Sequence, residues 1–298
     1  MREFGRSIEW PTLFILGACY ALWALSITMV SQWMPIAGVL LCGVTIALHS
    51  SLQHEVIHGH PTSSQTLNEA LVFPALSLVI PFVRFRDTHI AHHYDANLTD
   101  PFDDPESNFL TEANWCDRTV FCHAALRFNN TLLGRLLIGP LVAQIWFMAG
   151  DLREIRAGNR NVFAGWLWHI PALTLVLALV SMSAMPLWQY LIAAYLGNSL
   201  IKIRTFAEHQ AHEMSRARTV VIEDKGPLAF LFLNNNLHAV HHNHPKLPWY
   251  ALPDKYRRHK DRYLSQNDGY RFSSYWDLFR QYFFRAKDAV VHPIWHRL

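Results

Sequence analysis

The stretch WPTLFILGACYALWALSITMVSQWMPIAGVLLCGVTIALHSSLQH, residues 10–54, contains no Asp, Glu, Lys or Arg. A helix needs roughly 20 apolar residues to cross the hydrocarbon core of a bilayer, so this run is long enough for two crossings. The polar SQWMP at 31–35 is where the chain would turn. A second charge-free run extends from Val162 to Ile201, with its break at SAMP, residues 183–186. Lipid offers backbone groups no partner, so the open-ended way to span it is an α-helix. The two runs therefore predict two helical hairpins, with membrane-spanning helices at about 11–30, 34–53, 163–183 and 187–206. Composition agrees: only 16% of the 298 residues are charged, against about 25% in an ordinary soluble domain.

Orientation follows from the basic residues. The expected hairpin turns carry no charge, whereas Arg2, Arg6, Arg84, Arg86, Arg153, Arg156, Arg160, Lys202 and Arg204 all flank the opposite ends. By the positive-inside rule the termini and the long polar segments, 54–161 and 207–298, are expected on the cytoplasmic side. The N-terminus lacks a signal-peptide cleavage pattern and is expected to be retained. Two shorter apolar stretches, 67–83 and 131–149, are interrupted by Pro74, Pro81, Arg135 and Pro140. They are assigned to the interface or to re-entrant packing, because a full crossing would put the histidine clusters on opposite faces. YWDLFRQYFFRAK at 275–287 mixes aromatic and basic residues. It fits an amphipathic surface helix or a helix packed on the polar segments. The net charge of +3 is too small to argue for nucleic acid, and no basic run with interleaved aromatics supports it. The four cysteines have neither zinc-ribbon nor redox spacing and read as free thiols.

The 18 histidines are the anomaly. HEVIH holds His54 and His58, HIAHH holds His89, His92 and His93, EHQAH holds His209 and His212, and LHAVHH holds His238, His241 and His242. Residues three and four apart share one helix face, so each cluster presents adjacent imidazoles in one direction. Every cluster lies on the cytoplasmic side of the expected topology. Eight or nine converging imidazoles exceed one coordination sphere and point to two metal ions. Imidazole suits Zn, Cu, Fe and Ni alike. The count, with the open positions an enzyme needs, fits a di-iron centre best, of a different design from the Glu-rich soluble di-iron bundles. A histidine-rich transporter would place ionisable ligands near the bilayer midplane, whereas these clusters follow the spans. His49, His123, His169, His259, His292 and His296 read as packing or surface residues. His60 and His244, each following a cluster, read at most as outer supports. Ligating imidazoles need acceptors for their second nitrogen, and Glu55, Asp95, Asp100, Asp103, Asp104 and Glu208 are the candidates.

HEVIHGH, HIAHH and LHAVHH resemble the three histidine boxes of the membrane fatty-acid desaturase and hydroxylase superfamily. HHYDANLTDPFDDPES (92–107), RTFAEHQAHE (204–213) and NNNLHAVHHNHPKLPWYALP (234–253) are similar to its bacterial fatty-acid desaturase branch. The resemblance covers about residues 10–256. It implies an all-α integral membrane protein, a single domain over 1–298, with four transmembrane helices in two hairpins and a cytoplasmic helical cap holding a histidine-ligated di-iron site. It implies as metal ligands His54, His58, His89, His92, His93, His238, His241 and His242. The additional ligand after the fourth span is best matched by His209, with His212 the competitor. It further implies an oxygen-dependent desaturase acting on a fatty acyl chain or acyl lipid in lipid metabolism, with a hydroxylase using the same site as the alternative. Two non-haem iron ions, O2 as co-substrate and location in the bacterial inner membrane complete the expectation. No segment reads as a fused cytochrome or ferredoxin domain, so a separate ferredoxin-like or cytochrome-like electron donor is expected. The basic residues Lys255, Arg257, Arg258, Lys260 and Arg262 are candidates for its docking, or for lipid headgroups.

Overall fold

The computed structural model describes residues 8–95 and 97–294. Arg2, Arg6 and His296 lie outside the described residues. The chain divides into two compact units, one formed by Met1–Asp87 with Pro140–Ile201, the other by Thr88–Gly139 with Lys202–Leu298.

The first unit is built from long apolar helices. Trp10–Leu25 continues through a π-helical turn, Ser26–Val30, into Ser31–Trp33. In the wide turn Ser31 directs both its backbone N–H and its hydroxyl at the Ser26 carbonyl. Met34 then leaves helical geometry, with φ −140° and ψ 76°, and Pro35 starts the next helix, Pro35–Ile57. Proline suits a first turn because its missing N–H would have had no partner there. Arg160–Ser181 starts at Asn159, whose side chain accepts from the N–H groups of Asn161 and Val162, and Leu187–Ala207 follows the 183–186 break. Among the described residues three helices are long and apolar enough to cross a membrane: Trp10–Trp33, Pro35–Ile57 and Arg160–Ser181. The fourth expected span is helical over Leu187–Ala207 and carries Lys202 and Arg204 near its end. The 67–83 stretch is broken, its helices being Gln65–Leu71 and Phe82–Tyr94. The 131–149 stretch is likewise split, between Leu132–Leu137 and Gly139–Arg156.

Large apolar side chains are turned outward on this unit: Phe14 is 77% exposed and Ile36 79%. Such a surface is stable against lipid tails rather than water. Inside, Trp23, Ile27, Cys42, Ile46, Val176, Val180 and Tyr190 form one core. Helix approach is close at Gly43 and Gly197. A Cβ on Gly197 would lie 2.7 Å from Ile46 Cγ2 and 2.8 Å from the Gly43 carbonyl oxygen. Small residues that let backbones approach are the usual device where no hydrophobic force drives helices together. Several internal polar groups are paired with one another. Tyr190 donates to the Leu76 carbonyl at 2.8 Å and receives Trp23 Nε1 at 3.2 Å. Arg84 forks onto Asp151 at 2.9 and 3.0 Å, and Asp151 also receives Trp166 Nε1.

The second unit is made of short helices around a two-residue parallel ladder, Val221–Ile222 paired with Arg271–Phe272. Its core gathers Val221, Leu237, Val240, Leu252, Tyr256 and Tyr263. The short helices carry side-chain caps, with Thr111, Thr119, Thr131 and Ser274 each accepting from a first-turn N–H. The amphipathic segment is helical over Tyr275–Tyr282, with Trp276 and Phe284 exposed. All four cysteines are free.

Candidate metal centre

Three chain segments of the second unit deliver histidines to one place. The end of the Phe82–Tyr94 helix carries His89, His92 and His93, and His238–Asn243 is itself a short helix. The ladder anchors that short helix. Ala239 donates its N–H to the Val220 carbonyl at 2.9 Å, and Ile222 donates to the Asn236 carbonyl at 2.8 Å. His209 lies just past the end of Leu187–Ala207 and forms an antiparallel bridge with Thr219. Lys287 Nζ donates to its carbonyl at 2.8 Å.

The ring nitrogens of His92, His209, His238 and His242 converge. Nε2 of His209 is 3.0 Å from Nε2 of His92 and 3.1 Å from Nε2 of His238, which is 3.0 Å from Nε2 of His242. Beside this group, Nε2 of His93 and Nε2 of His241 are 3.1 Å apart, with the His89 ring 4.6 Å from that of His93. The stacked rings of His93 and His242, 4.2 Å apart, form the wall between the two sets. In the first unit, His54 and His58 close the Pro35–Ile57 helix with ring centroids 5.0 Å apart.

The outward nitrogens are held by acceptors. His92 Nδ1–H donates to Asp104 at 2.8 Å, His89 Nδ1–H to Glu106 at 2.9 Å and His238 Nδ1–H to Asn235 at 3.2 Å. Asn235 is fixed in turn by donating to Glu208 at 2.8 Å. With Nδ1 protonated, Nε2 presents only a lone pair. Several lone pairs aimed at one point repel unless a cation lies between them. With metal–nitrogen bonds of about 2.1 Å, neighbouring ligands at right angles would stand roughly 3.0 Å apart, the spacing observed. The donor set therefore fits two imidazole-bound metal ions.

Titration behaviour supports ligand-competent rings. Burial drives His209, His238 and His242 well below the ordinary imidazole range, and His93 to about 3. His92 goes the other way. Burial lowers its pKa, but Glu106, Asp104 and Glu208 outweigh that and raise it to about 9. Burial pushes Glu106 up, yet His89 and His92 hold it well below the usual carboxylate range.

The remaining histidines fall elsewhere. His212 faces Asp268 at 3.3 Å and accepts the Met214 N–H, so it stands apart from the converging set. His49 meets Tyr20, His169 the Leu78 carbonyl, His123 stacks on Trp115 and His292 meets Thr99. His244 sits edge-on to Tyr263. His60 joins a buried group of its own, with Nδ1 at 2.6 Å from Glu9 and Nε2 at 4.0 Å from Glu55. Burial lowers its pKa, but the two carboxylates prevail and raise it. A protonated His60 between Glu9 and Glu55 accounts for that group as an ion-paired clasp.

Of the acidic candidates, Asp104 and Glu208 support the histidines, while Asp95 and Asp100 each accept a nearby backbone N–H and shape the loop. Asp103 is exposed. Sequence reasoning misses Glu106 and Asn235 as supports. Their signal lies in the acidic loop after the second box and in the Asn run before the third. Each Asn of that run holds a different group. Asn234 binds the Trp249 carbonyl, Asn235 holds His238, and Asn236 binds the Ile222 carbonyl.

The family model described as fatty acid desaturase matches residues 31–274. Comparison with curated proteins finds no match.

Proposed function

The chain belongs to the fatty acid desaturase family, and from that premise we propose that it is an oxygen-dependent di-iron enzyme that introduces a double bond into a fatty acyl chain or acyl lipid. The convergence of four imidazole nitrogens, with the outer nitrogens of His92 and His238 held by Asp104 and Asn235, is the observation that supports this reading most. Family membership itself carries the coarser statement: a desaturase- or hydroxylase-type oxidoreductase acting on a lipid or acyl substrate in a membrane context.

The ligands we assign are His89, His93 and His241 to one ion and His92, His209, His238 and His242 to the other. His54 and His58 complete the first set, an assignment resting on the box pattern. Bound there, iron would supply activation of dioxygen for removing hydrogen from an unactivated C–H bond. Burial keeps His93, His209, His238 and His242 neutral, and Asp104, Glu106 and Asn235 accept the outer protons of His92, His89 and His238 and so fix which of their nitrogens faces inward. The net reaction joins one saturated –CH2–CH2– unit, one O2, two protons and two electrons, and yields –CH=CH– and two waters. The electrons come from a separate donor of ferredoxin or cytochrome type. We further assign Leu187–Ala207 as a fourth span, a single domain over 1–298, and a cytoplasmic side for the termini and the histidine-bearing segments, in a bacterial inner membrane.

The test is the lipid profile of cells expressing the protein against cells carrying His238→Ala. Acyl species lighter by two hydrogens support desaturation. Species heavier by one oxygen would replace it with hydroxylation at the same site. An unchanged profile in cells supplied with a working donor would overturn the proposal.

A further inference from the structure

The supports around the converging histidines are uneven. His89, His92 and His238 each have an acceptor for Nδ1, at Glu106, Asp104 and Asn235. His209 Nδ1 is buried with no hydrogen-bond partner among the described residues, and so is Thr205 Oγ1 one turn earlier. Buried polar groups rarely remain unpaired, because desolvation without a partner is costly.

Both residues line the same small cavity, together with Glu106, Asn130 and Arg135, and its volume is about 20 Å3. A water needs roughly 10–15 Å3 and two to four polar partners. Polar walls also favour filling, since cavities that stay dry are apolar. A second cavity of about 320 Å3, open to solvent, lies beside the first and shares Asn130, Asp288 and Ala289 with it.

We propose that this cavity binds a structural water that accepts the His209 Nδ1 proton and bonds to Thr205 Oγ1, so that Thr205 acts through it as a positioning residue for His209. The water does for His209 what Asp104 does for His92. It keeps the proton on the outer nitrogen and leaves Nε2 bare towards the converging set. This rests on the reading of His209 as a metal ligand.

The experiment measures Co2+ binding to the full-length, metal-free protein in detergent by competition with a chelator, together with the visible Co2+ spectrum. Loss of an outer-shell partner of a ligating histidine typically costs 10–100-fold in affinity. Thr205→Val is expected to weaken one of the two Co2+ sites by about tenfold or more and to shift its absorption, whereas Thr205→Ser restores both. Ala289→Leu, which adds bulk at another residue lining the cavity, is expected to do the same as Thr205→Val. A wild type that binds no Co2+ at this group would overturn the ligand reading itself. A wild type with two sites, and a Thr205→Val protein with unchanged affinity and spectrum, would overturn only the water. If a variant fails to fold, a high-resolution density map of the wild type decides. A peak within hydrogen-bonding distance of both His209 Nδ1 and Thr205 Oγ1 supports the proposal, and an empty cavity in a map that resolves other buried waters refutes it.

Discussion

Asp104→Asn should weaken metal binding more than its near-identical shape suggests. The Asp104 carboxylate, with a side chain only 1% exposed, accepts from three donors. His92 Nδ1–H and the Glu106 N–H reach Oδ1 at 2.8 and 2.9 Å, and the Thr99 N–H reaches Oδ2 at 2.8 Å. An amide has one acceptor end. Turned so that its oxygen meets the two donors at Oδ1, it leaves its NH2 facing the Thr99 N–H. One buried unsatisfied donor costs about 1–3 kcal/mol, and exchanging the charge-assisted bond to His92 for a neutral one costs about 1 kcal/mol more. The first cost falls on the stability of the metal-free protein. The second falls on the ring that must face the ion, and about 1.4 kcal/mol is tenfold in affinity. Asp104→Asn should therefore lower the unfolding midpoint of the metal-free protein and weaken one Co2+ site by roughly fivefold. Asp104→Ala, which strands all three donors, should approach 100-fold. Thermal unfolding in detergent and chelator competition read the two effects separately. Lowered stability with unchanged affinity would show that Asp104 merely folds the loop, and would refute the argument.

Three further outcomes follow from the same geometry. His209→Ala should reduce the metal content by about one ion per chain, whereas His212→Ala, whose ring faces Asp268, should leave it unchanged; elemental analysis of purified protein distinguishes them. The metal-free protein should lose stability on acidification. The folded pKa values of His93, about 3, and of His209, His238 and His242 lie below the unfolded value of about 6.5. The unfolded chain thus takes up protons below pH about 6.5 that the folded chain refuses. His92, raised to about 9, contributes the opposite way, with its stabilisation fully present below about 6.5 and lost as pH rises through 9. His60, raised by Glu9 and Glu55, acts in the same sense as His92. Two rings against four still leave a net acid loss, and an unfolding midpoint that rises between pH 7 and 5 would contradict it. Gly197→Val should destabilise by about 1–3 kcal/mol through forced separation at Ile46 and Gly43. Gly17→Ala, where an added Cβ meets nothing within 4 Å, should be neutral or slightly stabilising in the same thermal assay.

Much of this was legible because the relevant rules are local. Charge-free length marks a helix that lipid can surround, and residues 10–33, 35–57 and 160–181 meet that rule in the folded chain. The i, i+3, i+4 spacing puts His238, His241 and His242 on one side of a short helix whatever surrounds it. The choice between His209 and His212 had no local answer, because both follow the same apolar run three residues apart. In the folded chain the helix ending at Ala207 and the bridge to Thr219 turn His209 towards His92, 117 residues earlier, while His212 faces Asp268, and on that geometry we assign His209. The acceptors were hidden for the same reason. Glu106 and Asn235 look like ordinary loop residues until folding sets them against His89 and His238. The sequence by itself determined that apolar helices and inward-facing imidazole sets would form, since helical pitch and desolvation act within a segment. Only the tertiary structure decided which nitrogens meet and which groups hold their protons, since those contacts join segments that no short-range pattern links.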